Sequence, residues 1–515
     1  MPEKVLKKLN EHISLQWKIC FISALTVGLI AHLYKITSWL PNWDSLVLRY
    51  DPQNMLALGR WFLPVACAFS SFYDLPFLNG IIAILFHAAG AVCICKMLRV
   101  ENKITAALIG ALIVSFPTVT SVMMYNYVAD GYSIAFFMST LAAVYMTKEK
   151  PNYVVSALLI TFSTGIYQAY LTVTIMLILL HLIDELLFNG KSVASVWKKT
   201  AFMLITGVAG VALYGVMMKV LLSIFSVELL DYQGANTTAS LANINILASL
   251  YTIKETFIKC FFDISNGINV YVALNAIVVI ISIFCYLKFI IENRIYKNPI
   301  KLVTIAIFGI MLVCGAGALA FINPNVDYHN LMLMGYAVFY LFFLIIYERG
   351  SEDKVTYNAI KCWTVLLTAV LLIANQVVIA NVSYHKAQMA YEKSYGMLIR
   401  IADRIEQTPG AENCDKVLVI GSLDNSEAYS VNLTPNITGI TDGLIIRADD
   451  EVVGQSVFCS ALNDYCDKSY IFVYGDEKQK LMKMDNVKSL DNWPSQNCIT
   501  VIDSTIVIKL GTEVN

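Results

Sequence analysis

The feature that most constrains this chain is a succession of apolar runs. Each is about the twenty residues that an α-helix needs to cross the hydrocarbon core of a bilayer. They lie near residues 17–37, 77–97, 104–124, 131–147, 152–165, 167–188, 200–226, 267–291, 300–322, 329–347 and 360–382. Hydrocarbon offers no partner for a backbone N–H or C=O, so segments of this kind pair their backbone internally and read as helices. The fifth and sixth runs are nearly continuous. Gly165 and the polar pair Tyr167 and Gln168 supply the only break, and one long helix is the alternative reading. Composition agrees with a membrane chain: 57% of residues are apolar and 15% charged, against about a quarter charged in soluble proteins. The formal net charge of −1 gives a nucleic-acid partner no electrostatic support. The expected fold is a polytopic α-helical membrane protein of about eleven transmembrane helices.

Lysine and arginine set the expected orientation, because they concentrate on the cytoplasmic side. With the N-terminus inside, the inner segments carry Lys4, Lys7, Lys8, Lys96, Arg99, Lys103, Lys148, Lys150, Lys191, Lys198, Lys199, Lys288, Arg294, Lys297, Lys301, Arg349, Lys354 and Lys361. The outer loops before residue 383 carry only Arg49, Arg60, Lys254 and Lys259. Merging the fifth and sixth runs would invert everything downstream, so the same bias favours the break. The first run is followed by no convincing cleavage site and reads as a retained span rather than a secretory signal.

An odd number of spans divides the chain into a membrane domain, 1–382, and an extracytoplasmic α/β domain, 383–515. The second begins with an amphipathic stretch, 384–407, that reads as a helix. Strand-like runs follow at 416–420, 443–447, 470–474 and 499–503, separated by turn residues. Four of the twelve cysteines, Cys414, Cys459, Cys466 and Cys498, fall here. In an outward-facing domain they suggest two disulfides, Cys459 with Cys466 and Cys414 with Cys498; free buried thiols are the other reading. No Walker A sequence, HExxH motif, CxxC pair or internal repeat is present.

Polar groups are costly away from water in a membrane protein, so their positions point to function. The first outer loop, 38–76, is the most distinctive. Trp39, Trp43 and Trp61 suit headgroup depth, and its central part is apolar enough to lie along the surface. Asp44 follows the first span, and Arg60 sits near membrane level on the same side. A carboxylate there can take a proton from an attacking hydroxyl, and an arginine can pair with a phosphate through two N–H groups. The alternative is that Asp44 pairs with Arg49 or Arg60 and the tryptophans only anchor the loop. Asp51 and Asp74 read as solvated loop acids. The segment 125–132 joins the third and fourth spans and combines Asp130 with Tyr127 and Tyr132, a composition suited to stacking on and bonding a sugar, or to an ordinary polar turn. Gln168 lies in a short outer turn and suits a sugar hydroxyl. His329, between the ninth and tenth runs, and Lys219, late in the seventh, are candidates for a phosphate; Lys219 can equally snorkel. The longest outer loop, 227–266, holds Glu228, Asp231 and Tyr232 and then an amphipathic stretch that suits an acceptor groove.

The segment Asn42-Trp-Asp-Ser45, followed by Leu58-Gly-Arg-Trp61, Asn126-Tyr-Val-Ala-Asp-Gly131 and Ser163-Thr-Gly-Ile-Tyr-Gln168, resembles the bacterial GtrII-type glucosyltransferases across roughly residues 15–385. The resemblance implies a GT-C fold in the bacterial inner membrane. It implies a hexose, glucose by analogy, moved from a polyprenyl-phosphate donor to a cell-surface glycan such as O-antigen, with inversion. By position Asp44 matches the family's general base in the first outer loop, and Arg60 lies in the matching Gly-Arg-Trp segment. Paired acids common in GT-C enzymes are not adjacent here, since Asp44 and Asp51 are seven apart. That leaves divalent-metal dependence open, and a monophosphate donor points to no required metal or other cofactor. The rival reading is a transporter or flippase of lipid-linked sugars, which would show internal symmetry and mid-membrane ionisable groups. A non-catalytic assembly subunit is a third.

Overall fold

In a computed structural model of the protein, residues 13–47, 55–71, 73–230, 245–264, 267–350, 356–421 and 454–511 are described. The chain divides into two compact units. The first contains residues 1–37 and 52–381, and the second contains 38–51, 382–431 and 439–515.

The first unit is a helical bundle. Its helices are α1 (Leu15–Ile36), α3 (Leu63–Ala66), α4 (Pro76–Met97), α5 (Lys103–Ser115), α6 (Pro117–Met124), α7 (Asn126–Thr147), α8 (Tyr153–Ile166), α9 (Leu171–Leu187), α10 (Val193–Phe225), α11 (Ile246–Phe261), α12 (Val270–Glu292), α13 (Pro299–Ala316), α14 (Val338–Gly350) and the first part of α15 (Thr356–Glu406). The short α2 (Trp43–Val47) belongs to the second unit. Eight helices among the described residues are long and apolar enough to cross a membrane, or nine if the bent pair α5–α6 counts as one span. Eleven were expected. The runs near 152–165 and 329–347 fall short: α8 has 14 residues, and α14 has 13 and follows two 3-10 turns over 330–337. The α5–α6 pair bends by 42° at Phe116, where Pro117 has no N–H to continue the first helix.

Small residues let the helices approach closely, as membrane interfaces require. Gly110 lies against the backbone of Cys20 and Ala24, and Gly28 against Ile84 and Val114, which locks α1, α4 and α5 together. The windows of α7 and of the span ending in α9 are 83% buried, whereas that of α10 is only 6% buried. The first two are therefore central helices and α10 faces lipid. The break between the fifth and sixth runs is present. Tyr167 is extended (φ −157°, ψ 119°), and a 3-10 turn, Gln168–Tyr170, leads into α9.

The second unit is α/β. Its strands are β1 (Lys416–Ile420), β2 (Ile471–Phe472), β3 (Ile499–Ile502) and β4 (Thr505–Lys509), with α16 (Gly454–Cys466), α17 (Gly475–Met482) and α18 (Asp485–Lys488). Sheet order is β2-β1-β4-β3, with β1 parallel to both neighbours and β3–β4 a hairpin. Asp503 and Ser504 turn that hairpin with φ of 48° and 57°, the sign a tight two-residue turn requires. The apolar run of β1 is buried on both faces, as a central parallel strand should be. Val417 and Val419 face Leu398, Ile401, Phe458 and Leu462, while Leu418 and Ile420 face Leu481 and Val487. The expected strand 470–474 shrinks to two residues, the run 443–447 lies outside the described residues, and β4 was not foreseen. The amphipathic stretch 384–407 does not start a new helix; it continues the last span as one 51-residue helix.

Two disulfides were expected, and the structure holds all twelve cysteines as thiols. Cys459 and Cys466 sit on one helix, α16. Seven residues of helix separate them by about 10 Å along the axis, and a disulfide needs Cα atoms within about 7 Å. Cys459 Sγ donates instead to Tyr470 O at 3.1 Å and Cys414 Sγ to Gly410 O at 3.3 Å, while Arg404 donates to Cys498 Sγ at 3.8 Å. Burial pushes the Cys459 thiol up to about 12. Protein unfolded without reductant should therefore alkylate at Cys414, Cys459, Cys466 and Cys498, and a linked Cys459–Cys466 peptide in the mass spectrum would contradict this packing.

Candidate active site

The segment 55–62 does not lie along a surface; it enters the first unit at the break before α9. Its turn is closed by Gly59 N–H to Leu56 O at 2.9 Å and Arg60 N–H to Met55 O at 2.7 Å. The N–H of Phe62 then donates to Gly165 O at 2.8 Å. Trp61 is buried, 9% exposed, with its ring against Gly165 and edge-on to Phe62 and Phe162. This corrects the expectation that Trp61 anchors the loop at headgroup depth. Two side chains clamp the turn. Gln168 donates to Leu58 O at 3.2 Å and to the Tyr214 hydroxyl at 3.1 Å, and that hydroxyl donates to Gly59 O at 3.1 Å.

Gly59 has φ +73°, and a Cβ there would stand 2.8 Å from Tyr214 Oη and 3.0 Å from Gln168 Nε2. Gly59→Ala combines a left-handed backbone with a steric clash, and such overpacking costs about 1–3 kcal/mol. It should lower the melting temperature in detergent and reduce activity. An unchanged melting temperature would show that the turn relaxes freely.

This clamp presents Arg60. Its guanidinium donates to Tyr132 Oη at 3.1 Å and lies 4.8 Å from the centre of the Tyr167 ring. Tyr132 and Tyr167 stack at 4.6 Å with planes 11° apart, and Tyr170 closes the group from below. A guanidinium at this distance from a tyrosine ring gains a cation–π contact, and a guanidinium can bond an anion through two N–H groups. His329 lies in the loop between α13 and α14, near enough to Arg60 to feel its charge. Burial holds its imidazole below the ordinary value, and Lys259 and Arg60 reinforce this against Asp327. His329 is therefore neutral at pH 7, and its buried Nδ1 has no hydrogen-bond partner among the described residues. Lys259 and Asp327 pair beside it at 3.0 Å.

Of the residues singled out from sequence, the structure joins Arg60 to Tyr132 directly and to Gln168 through the turn that both hold, with His329 within reach of the Arg60 charge. Others lie elsewhere. Lys219 is exposed on α10, beyond the turn that carries Tyr214. Residues 125–132 are not a polar loop, because α7 begins at Asn126. Tyr127 is 3% exposed and Asp130 0%, with Asp130 Oδ1 accepting from Gly131 N–H at 2.9 Å and the Ser70 and Cys67 side chains beside it. Asp44 is half-buried in α2 and belongs to the second unit. There Asn42 caps the helix by accepting from Ser45 N–H at 2.8 Å, Leu46 joins the core formed by α15 and α16, and Trp39 donates to Tyr465 Oη at 2.7 Å. Of Trp43 only the backbone is described, and Arg49, Asp51, Asp231 and Tyr232 lie outside the described residues.

Asp74 is not solvated. It is 8% exposed, accepts from Asn126 Nδ2 at 2.7 Å and faces the buried Lys35 ammonium. A lysine at the end of an apolar run was the signal for this pair, since a buried cation needs a carboxylate. Tyr167 stood inside the quoted motif; Tyr214 carried no signal beyond a hydroxyl within an apolar run.

The Glucosyl transferase GtrII family matches residues 33–346 of the chain, a stretch that contains Asp44 and all of the Arg60 group. No curated protein and no solved structure matches the chain.

Proposed function

Because this chain belongs to the GtrII glucosyltransferase family, we propose that it moves glucose from a polyprenyl-phosphate donor to a cell-surface glycan, on the outer face of the bacterial inner membrane and within a GT-C architecture. The observation that carries this reading is the Arg60 group. A half-buried guanidinium on a tyrosine stack, with a neutral imidazole nearby, suits the phosphate of a lipid-linked sugar. With α8 and the segment 330–350 counted as short crossings, the lysine- and arginine-rich segments argue for the site facing outward, with the N-terminus in the cytoplasm and the α/β unit outside.

The chemistry follows from these parts. Asp44 takes the proton of the acceptor hydroxyl. The oxygen attacks the anomeric carbon from the face opposite the phosphate, forming the new glycosidic bond with inversion. The bond from that carbon to the phosphate oxygen breaks, and its electron pair leaves on the lipid phosphate beside Arg60, with His329 as a hydrogen-bond donor. That phosphate is already an anion and a fair leaving group, so no general acid is required. Tyr132 and Gln168 border the sugar, and no metal is required for a monophosphate donor.

The test is a donor panel given to the purified protein with candidate surface glycans: polyprenyl-phosphate glucose, mannose and galactose, polyprenyl-diphosphate sugars and nucleotide sugars. Polyprenyl-phosphate glucose should be the donor consumed, with EDTA leaving the rate unchanged. Turnover of a nucleotide sugar alone would overturn the proposal.

A further inference from the structure

Helix α11 runs between the spans α10 and α12 but is too short to be one. Its 16 residues extend about 24 Å, against about 30 Å of hydrocarbon. It has three faces. Ser249, Ile253, Thr256 and Cys260 are buried and repeat at helical spacing; Ile253 lies against Gly317, and Thr252 bonds Pro324 O at 2.7 Å. Thr252, Glu255 and Lys259 form a polar face. The third face is Leu247, Leu250, Tyr251 and Ile258, spaced 3, 4 and 11 residues from the first and 80%, 42%, 62% and 39% exposed. Lys254 lies within it and extends over the Tyr251 ring, 5.4 Å from its centre.

An apolar stripe of this kind facing water would be costly, at about 25 cal/mol per Å². Its neighbours indicate what covers it. The helix packs beside α12, and the exposed faces of α10 and α12 are the apolar surfaces of membrane spans. A short helix with one apolar face, a snorkelling lysine and a polar face is the pattern of an element lying in the interface plane.

We propose that α11 is an interfacial helix seated in the bilayer leaflet on the Arg60 side, with its Leu247–Ile258 stripe among the acyl chains. Its polar face carries Lys259, which pairs with Asp327 beside His329. Seating α11 therefore holds the His329 edge of the site at the depth of lipid phosphates. This second step rests on the reading of the donor as a lipid phosphate.

The test uses p-benzoylphenylalanine at single positions in the full-length protein, reconstituted in phosphatidylethanolamine–phosphatidylglycerol vesicles with a labelled tracer lipid. Ile205, exposed on the lipid-facing α10, is the positive control. Probes at 247 and 250 should crosslink lipid several-fold more than a probe at 255 and comparably to 205. Labelling at 247 and 250 no higher than at 255, with 205 labelled, would overturn the seating. Leu250→Asp should raise KM for a long-chain polyprenyl donor several-fold while leaving a short-chain analogue unaffected; equal effects on both would overturn the link to the site. Crosslinking requires no sugar transfer, so failure of α11 to label and failure of the donor assignment are separate outcomes.

Discussion

Asp44→Asn should reduce sugar transfer by about 10²–10⁴-fold, the usual contribution of a general base. A neutral hydroxyl is a poor nucleophile until its proton begins to leave, and the amide keeps the shape of the carboxylate without its basicity. The structure makes the substitution interpretable. Asp44 is half-buried in α2, while Asn42, Ser45 and Leu46 hold that helix on the second unit. Folding and membrane insertion should therefore survive, and KM for the lipid donor should change little. The assay is transfer of labelled glucose from polyprenyl phosphate, with the melting temperature followed in parallel. A wild-type rate would remove Asp44 as the base, and Asp327, exposed beside His329, would be the next acid to replace.

Arg60→Ala should lower kcat/KM for the donor by about 10²–10³-fold, the scale on which removing a charged donor to a developing anion is felt. The loss should appear in donor KM if Arg60 binds the phosphate in the ground state, and in kcat if the contact strengthens as the phosphate leaves. Arg60→Lys keeps the charge but loses the planar fork and the stacking on Tyr167, so it should restore only part of the activity. Tyr132→Phe removes the acceptor 3.1 Å from the guanidinium and leaves the stack intact. It should cost far less than Arg60→Ala, which separates loss of the cation from loss of its support. Activity of Arg60→Ala near wild type would place the donor phosphate elsewhere.

Much of this architecture was legible in the sequence because hydrocarbon imposes length and apolarity on every span. The break at Tyr167 was readable from one glycine and two polar residues, and it proved to be the place where the Arg60 loop enters the bundle. Span number was less legible, because a run such as 329–347 is apolar enough to cross but is spent partly on 3-10 turns. Burial was the main source of error. Trp61, Asp74 and Asp130 occupy segments that look like outer loops, and a linear pattern does not reveal that Gly165, Asn126 or Gly131 will receive them. The disulfide expectation erred for a related reason: clustering in sequence says nothing about Cα separation, and helix α16 sets that separation for Cys459 and Cys466. The group around Arg60 needed the fold, since Tyr132, Tyr167, Tyr214 and His329 come from four separate parts of the chain.

Transfer of glucose from a lipid phosphate at the Arg60 site and movement of the lipid-linked sugar across the membrane leave different products. Purified protein is placed in proteoliposomes with labelled polyprenyl-phosphate glucose in the outer leaflet alone and glycan acceptor outside. Protein inserted with the site outward should move label to the glycan with inverted anomeric configuration, release unglycosylated polyprenyl phosphate, and lose both with Arg60→Ala. Label that crosses between leaflets and remains on the lipid, with no glycosylated acceptor, would contradict the account and identify a flippase.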